Sequence, residues 1–292
     1  MINWLKYFPL EFRNDHSLHN RRSPKGPDFS KSKKYTFNIG GNSISFKCPL
    51  HSPYKSYVKP YTAPNQKDLL TLKFNELNRD SMPDDSWLTQ LICKRDWVYY
   101  GPWFTGPQCE LSFSVSIITK RKRSENENFL HPKAFENAIA SYLTSLYAHD
   151  TYNDVHRWVT PVNWKSITNL NIFASRFDTL PSTTNEEGQK KHTLCFPVTD
   201  KHILIAEFTP HIYSYNKKIT YEELLKLIDT KPMDDLIESV ATSFNIKPSK
   251  EKSSINYNSI EENRENLTAT FSPLKWDRKN QEDTSPLLDI TS

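Results

Sequence analysis

The sequence predicts an α+β fold, an antiparallel sheet built from hairpins with about three helices packed on it. Segments with strand periodicity outnumber helical segments, and short turns connect them, which favours antiparallel pairing. At 292 residues the chain is long enough to bury a substantial core. It contains only 6 Gly and neither a GxGxxG nor a GxxxxGK[ST] motif, so a classical dinucleotide fold and a Walker nucleotide site are poor candidates.

The first hairpin is predicted over residues 35–48, where apolar and polar residues alternate on both sides of two consecutive glycines. Residues 49–66 contain four prolines, so we expect them to be irregular. The apolar run at 69–74 predicts a strand. The aromatic residues 97–100 predict a further strand, which ends at a Gly-Pro turn.

The clearest alternation in the chain lies at residues 111–118 and predicts a half-buried strand. The clearest helix begins at Pro132, because Pro is favoured at the first helical position and apolar residues follow at helical spacing. We expect the apolar stripe of the strand to face this helix. The members of that stripe are Leu111, Phe113, Val115 and Ile117.

The second half of the chain adds another hairpin and two more helices. Residues 193–198 and 202–208 are apolar runs joined by a short polar turn, which predicts a hairpin. A capping box at residues 220–223 predicts the start of a helix, and residues 233–244 continue as another.

Composition divides the chain into three parts. Residues 1–34 are predicted to form a basic irregular arm, residues 35–247 the main α+β domain, and residues 248–292 a mobile polar tail. Residues 1–66 hold 11 Lys and Arg against 3 Asp and Glu, a net charge of +8 within a chain of +4. The apolar residues in 271–276 are expected to hold the tail locally against the domain.

Cysteine usage and hydropathy bear on the compartment. The four cysteines show no C-x-x-C pair or regular spacing, so we expect reduced, mostly buried thiols. The first residues lack the apolar run of a secretory signal, and no segment approaches the length of a membrane span. The expected compartment is the cytoplasm.

The aromatic and basic residues are candidates for binding a partner. Residues 97–107 are rich in Trp and Tyr, which give an interface a large contact area at a small entropic cost. The alternative is that this stretch is a core strand and turn. The anchor candidates are Trp103, Tyr152 and Trp158, and the arm would contribute Arg21, Arg22, Lys33 and Lys34 if the partner is acidic.

No catalytic residue, metal or cofactor is predicted. The polar run at residues 149–156 contains two His and two Asp but matches no established metal spacing. Cys195 could be combined with His192, His202 or His211 as a nucleophile and base, yet no G-x-S-x-G or comparable local signature supports such a site. The basic run at 120–123 lacks interleaved aromatic residues and is expected to be a solvated loop.

Four stretches in a fixed order carry a family resemblance: residues 100–118, 131–136, 158–164 and the Phe196-Pro197 hairpin. In this order they resemble uncharacterised bacterial immunity-type proteins encoded beside toxins of contact-dependent and type VI secretion systems. The resemblance covers roughly residues 97 to 245 and carries no catalytic motif. It implies a protein that binds and blocks a toxin.

The sequence therefore leaves three hypotheses. The first is a non-enzymatic binding protein of the immunity type, with a cognate toxin as its partner. The second is a hydrolase or toxin enzyme with an unrecognised His and acidic site. The third is a nucleic-acid or anionic-surface binder that uses the basic arm, although a net charge of +4 does not require such a partner.

Overall fold

The computed structural model describes ten stretches of the chain and one isolated residue. They are residues 2–8, 21–64, 68–76, 87–103, 105–122, 127–167, 170, 172–182, 190–213, 221–248 and 267–276. Four α-helices occur in these residues: α1 (Ile2–Lys6), α2 (Pro132–Tyr147), α3 (Tyr221–Leu227) and α4 (Lys231–Thr242).

The same residues form thirteen strands. The first eight are β1 (Lys33–Ile39), β2 (Asn42–Cys48), β3 (Tyr61–Thr62), β4 (Asn75–Glu76), β5 (Trp87–Tyr100), β6 (Pro107–Lys120), β7 (Thr151–Tyr152) and β8 (Val155–His156). The remaining five are β9 (Trp158–Ile167), β10 (Ala174–Pro181), β11 (Lys191–Pro197), β12 (Ile203–Ile212) and β13 (Asn245–Pro248).

Two antiparallel sheets make up most of the described chain. The large sheet has the order β3-β5-β6-β12-β11-β10-β9, and β4 pairs with β5 outside this path. The small sheet has the order β1-β2-β13, and β7 pairs with β8 in a separate hairpin. The prediction of an antiparallel sheet built from hairpins is confirmed at this level, although strands predominate strongly over helices.

The two predicted hairpins are present. In the first, β1 pairs with β2 from Lys33 opposite Cys48 to Ile39 opposite Asn42, and the two turn glycines have φ values of 58° and 77°. These left-handed values explain why glycine occupies both positions. The second hairpin is formed by β11 and β12.

The apolar stripe of β6 does not face α2, contrary to our expectation. Phe113 contacts Phe46 of β2 edge to face, with ring centroids 5.6 Å apart, so the stripe packs against the small sheet. Lys120 is an odd number of positions from the residues of this stripe, so its side chain lies on the other face of β6. Its Nζ lies over the ring of Trp87, and Trp87 contacts Tyr142 of α2. Because side chains alternate along a strand, α2 covers the other face.

Helices are therefore found on both sides of the large sheet. α2 covers one face, and the small sheet covers the other together with α4, which contacts β2. Phe244, just after α4, stacks on Phe46 with centroids 4.8 Å apart and meets Phe196 of β11 at 6.0 Å. The prediction of helices packed on a single sheet misses this second layer.

The strand predicted at residues 69–74 is wrong. Residues Leu69–Thr71 form a short 3₁₀ helix capped by Asp68, whose carboxylate accepts from the backbone N–H of Leu70. The same carboxylate also accepts from the N–H groups of Gly40 and Gly41 in the first hairpin. A side chain that competes for backbone donors in this way disfavours an extended conformation.

Residues 267–276 lie against the face covered by α2. The carboxylate of Glu136, which is buried, accepts from the backbone N–H and the hydroxyl of Thr268. Phe271 packs on Trp164 with ring centroids 5.1 Å apart. These contacts agree with the expected local attachment, whereas residues 249–266 and 277–292 of the predicted tail lie outside the described residues.

All four cysteines are free and buried, as the sequence predicts. None of the helices in the described part of the chain is both long and apolar enough to cross a membrane.

Candidate functional site

The turn between β5 and β6 is tightly built. The N–H of Gly101 donates to the carbonyl of Gly106 over 2.9 Å, and the hydroxyl of Thr105 donates to the carbonyl of Pro102 over 2.9 Å. A Cβ at Gly101 would overlap Oγ1 of Thr105, so this position requires glycine. Gln108 adds a side-chain hydrogen bond to the carbonyl of Thr105. These hydrogen bonds hold Gly101, Pro102, Thr105 and Gly106 in a fixed arrangement.

Trp103 projects from this turn. Its φ is 54°, a left-handed value that is unusual for a bulky side chain, and 61% of its surface is exposed. Its backbone N–H donates to the carbonyl of Lys6 over 2.6 Å, which fixes the turn to the end of α1. A strained backbone that holds a large aromatic residue in solvent is a feature typical of functional sites rather than of cores.

Three further residues adjoin Trp103 or one another. We call the set Lys6, Tyr7, Lys25 and Trp103 the aromatic patch. Trp4, also on α1, is 63% exposed and packs edge to face on Phe8. Nζ of Lys6 lies 5.8 Å from the ring of Trp103 and 5.5 Å from that of Tyr7, and Nζ of Lys25 lies 5.5 Å from Tyr7. Neither lysine has an ion-pair partner among the described residues, so two cations and two aromatic rings share one surface.

The segment that carries Lys25 is fixed by backbone pairing. The N–H of Lys25 donates to the carbonyl of Tyr100 over 2.8 Å, and the N–H of Tyr100 donates back over 3.1 Å. The N–H of Arg22 donates to the carbonyl of Leu227 over 2.7 Å, and its guanidinium donates to Oε1 of Gln108 over 3.1 Å. This part of the predicted irregular arm is therefore paired with the domain on both sides of Pro24.

The structure distributes the four predicted basic residues over different elements. Arg21 is exposed and lies 3.5 Å from Asp229. Arg22 is half-buried and bonded to Gln108, so it is not a freely presented cation. Lys33 and Lys34 are exposed at the start of β1, an edge strand, where lysine also discourages edge-to-edge pairing.

The other two predicted aromatic anchors lie outside the patch. Tyr152 is 63% exposed on the β7–β8 hairpin, whose turn residues Asn153 and Asp154 have left-handed φ values of 49° and 59°. Trp158 is half-buried, donates its indole N–H to Asp150 over 2.8 Å and packs near Tyr147. Tyr152 is thus available to a partner, and Trp158 is largely committed to the domain.

The sequence analysis missed Lys6, Tyr7 and Lys25. For Lys6 and Tyr7, the signal that could have found them is the aromatic cluster within the first eight residues, which contains a lysine. No local pattern connects these residues with Trp103, since about 80 to 100 positions separate them along the chain.

The candidates for metal binding and nucleophilic catalysis are not assembled into sites. No group of three or more His, Cys, Asp or Glu side chains that could hold a metal is present in the described part of the chain. Cys195 is fully buried with its thiol facing the carbonyl of Ser175, and burial raises the pKa of that thiol. This thiol is therefore not an accessible nucleophile for which His192 could act as the base.

His192 instead pairs with Asp178 in a polar cleft. Its Nδ1 lies 2.8 Å from Oδ1 of Asp178, and Nδ2 of Asn163 donates to Oδ2 over 2.8 Å. Burial by itself would raise the pKa of Asp178, but the hydrogen bonds from His192 and Asn163, together with the charge of Lys190, lower it to about 2. The carboxylate is therefore ionised at neutral pH. Neither Asp178 nor Asn163 was a candidate in the sequence analysis.

Comparison with known proteins gives no match. No protein-family model fits this chain, and no curated protein sequence aligns with it at a significant level. Two surfaces of the described chain remain as functional candidates, the aromatic patch and the polar cleft that contains His192 and Asp178.

Proposed function

We propose that this chain is a non-enzymatic binding protein that recognises a protein partner through the aromatic patch. The observation that carries the proposal is Trp103, an exposed tryptophan held in a left-handed conformation by a rigid turn. Rigid aromatic side chains dominate the energy of many interfaces, because they bury much apolar area at a small entropic cost. A strained backbone and an exposed indole lower the stability of the free protein, and a partner that buries the indole would offset this cost.

The charges of the patch indicate the chemistry of the partner. Lys6 and Lys25 lie over aromatic rings, and neither forms an ion pair within the described residues. A partner that places carboxylates beside these two lysines would gain ion pairs in a partly desolvated setting. We therefore expect an acidic protein surface to dock on the patch.

The class of partner follows from the sequence resemblance. Residues 97 to 245 resemble immunity-type proteins encoded beside bacterial toxins, and the proposed partner is accordingly a cognate toxin of a type VI or contact-dependent system. The mode of action would be occlusion, in which the bound protein covers a working surface of the toxin. Binding alone would then suffice for protection.

The test combines co-expression with a direct binding measurement. The proposal expects a toxin gene beside the gene for this chain; each variant is co-expressed with that toxin, and its affinity for the toxin is measured by calorimetry. Trp103→Ala is expected to weaken binding by about 2 kcal/mol or more and to reduce protection. The matched control is Tyr61→Ala on β3, which removes an exposed aromatic side chain far from the turn while the backbone carbonyl of Tyr61 still accepts from Arg95.

Two results would contradict the proposal. If Trp103→Ala binds the toxin with the same affinity as Tyr61→Ala and the wild type, the patch is not the interface. If His192→Ala binds the toxin normally but no longer protects, the protein acts by catalysis rather than by occlusion.

A further inference from the structure

A cleft with a volume of about 600 Å³ opens on the large sheet, away from the β5–β6 turn. It lies between β9, β10, β11 and α4. We call it the cationic cleft, and its charged lining consists of Lys165, Arg176, Asp178, Lys190, His192 and Glu238. The volume falls within the range typical of pockets that bind small molecules.

Cations exceed acids in this lining. Nζ of Lys190 lies 3.1 Å from Asp178, and Arg176 is paired with Glu238 at 2.5 Å. Lys165 is exposed and has no ion-pair partner among the described residues. One lysine charge is thus left uncompensated, and a protonated His192 would add a second.

His192 is held so that one ring nitrogen remains available. Because a carboxylate only accepts hydrogen bonds, Nδ1 of His192 donates to Asp178. The other ring nitrogen, Nε2, has no hydrogen-bond partner among the described residues, and the side chain is 16% exposed where it lines the cleft. Nε2 can therefore contact a ligand without breaking an existing bond.

The backbone around Asp178 is shaped for this arrangement. The register between β9 and β10 shifts on both sides of Asp178, and Asn163 on β9 has a left-handed φ of 55°. These irregularities bring the amide of Asn163 to the carboxylate. Bulges and left-handed residues cost stability and often re-aim side chains at functional sites.

We propose that the cationic cleft binds a phosphate-bearing small molecule, whose phosphate oxygens accept hydrogen bonds from Nζ of Lys165 and from the Nε2–H that His192 carries when its imidazole is protonated. A phosphate group carries a charge of about −1.5 to −2 at neutral pH, which matches the two charges of Lys165 and a protonated His192. A monocarboxylate would neutralise only one of these two charges. Arg176 and Lys190 lie beside the same opening and can turn from their acidic partners to the phosphate oxygens.

Such a site is independent of the aromatic patch. The patch is formed by α1, the segment around Lys25 and the β5–β6 turn, whereas the cleft is formed by β9, β10, β11 and α4. Loss of ligand binding at the cleft would therefore leave partner binding at the patch intact, and the two proposals can fail separately.

The test uses adenosine monophosphate, inorganic phosphate, adenosine and acetate as probes at constant ionic strength. Binding is followed by calorimetry and by the NMR signals of the His192 imidazole. We expect adenosine monophosphate and inorganic phosphate to bind saturably and to shift the His192 signals. Adenosine, which lacks the phosphate, and acetate, which carries a single charge, are expected to cause no saturable change.

Variants locate the site. Lys165→Ala and His192→Gln should each weaken binding of adenosine monophosphate by about tenfold or more, since each removes a direct phosphate contact. The control is Lys201→Ala, which removes one exposed lysine from the β11–β12 turn, outside the cleft. Because Lys165 is exposed, its variant should fold normally.

The proposal would be overturned by any of three results. One is the absence of saturable binding of both phosphate probes up to about 10 mM, the weak limit of specific recognition. Another is equal binding of adenosine and adenosine monophosphate. The third is a loss of affinity in Lys201→Ala as large as that in Lys165→Ala, which would indicate nonspecific charge attraction.

Discussion

Phe46 on β2 and Phe113 on β6 meet edge to face, with ring centroids 5.6 Å apart, and this contact joins the small sheet to the large one. Phe113 also stacks on Trp97 and on Phe208 of the neighbouring strands. The ring of Phe113 is thus the centre of an aromatic cluster that spans both sheets. Edge-to-face and offset-stacked pairs add stabilisation beyond the apolar area they bury.

Phe113→Ala should lower the free energy of unfolding by about 3–5 kcal/mol, because it opens a cavity between the two sheets. Urea denaturation gives the measurement. The control is Ser114→Ala, the next residue, which points to the opposite face of β6 and should change stability by less than about 0.5 kcal/mol. Equal effects of the two substitutions would contradict the assignment of the faces.

Val115→Asp should destabilise the protein by several kcal/mol, since it would bury an unpaired carboxylate between the sheets. Val115 is fully buried on the same face as Phe113. The melting temperature of the variant is the readout. An unchanged value would show that this position is not in the core.

Trp103→Gly should separate stability from function. Glycine adopts left-handed φ values freely, so the substitution should preserve or raise the free energy of unfolding by about 1 kcal/mol. Partner affinity should nevertheless fall, because the exposed indole is lost. A variant that unfolds more readily and still binds its partner normally would reverse both expectations.

The stability contributed by Asp178 should depend on pH. Its folded-state pKa is lowered to about 2 from an ordinary value of 3.8, so the carboxylate stabilises the fold above about pH 4 and loses this effect as the pH falls towards 2. Asp178→Asn should cost about 2 kcal/mol at pH 6, and the difference from wild type should shrink steadily between pH 4 and pH 2. Denaturation curves across this range provide the check. A difference that is independent of pH would mean that the ion pair and charged hydrogen bonds are not its source.

Glu136→Ala should release residues 267–276 from the domain. The buried carboxylate of Glu136 holds Thr268 by two hydrogen bonds, and its removal leaves the backbone N–H of Thr268 without a partner. Hydrogen exchange of this segment should therefore accelerate by about tenfold or more. The control is Lys231→Ala, which breaks an exposed ion pair with Asp235 on α4 and should leave exchange in this segment unchanged. Unchanged exchange in Glu136→Ala would show that the other contacts suffice to hold the segment, among them Phe271 on Trp164 and the bond from the N–H of Leu274 to the carbonyl of Thr160.

Two matched double variants distinguish the patch from the whole basic arm. Lys6→Ser with Lys25→Ser, and Lys33→Ser with Lys34→Ser, each remove two positive charges. If the partner docks at the patch, the first pair should slow association several-fold at low salt and flatten its salt dependence, whereas the second pair should do so much less. Equal effects of the two double variants would indicate that the summed charge of the arm, rather than the patch, attracts the partner. Arg22 is left in place because its guanidinium is bonded to Gln108.

Local sequence patterns determined much of the secondary structure. The β1–β2 and β11–β12 hairpins follow from alternation around short polar or glycine turns, and α2 follows from its first-position proline and apolar spacing. Each of these signals depends on residues that are close together in the sequence. It is therefore independent of how the rest of the chain packs. The residues of β5 before Trp97 escaped prediction because a register shift between Leu91 and Cys93 interrupts their alternation.

Only the tertiary structure decided which elements cover which face. Alternation places Phe113 and Val115 on one side of β6, but it does not say whether a helix or a second sheet lies there. The packing of the small sheet on this side is a long-range event, as is the capping of residues 69–71 by a carboxylate that also bonds Gly40 and Gly41. Strand periodicity depends on residues that are neighbours in the sequence. Which element covers each face of the large sheet depends on how strands distant in the sequence are ordered and packed.

The candidate sites show the same division. The sequence by itself determined that Trp103 follows a Gly-Pro turn between two strands. Its exposure, its left-handed backbone and its contact with Lys6 arise from the docking of α1. The pairing of Asp178 with His192 and Asn163 arises from the register of three neighbouring strands. Residues far apart in the chain come together only when the sheet fixes strand order and register, because local periodicity carries no information about either.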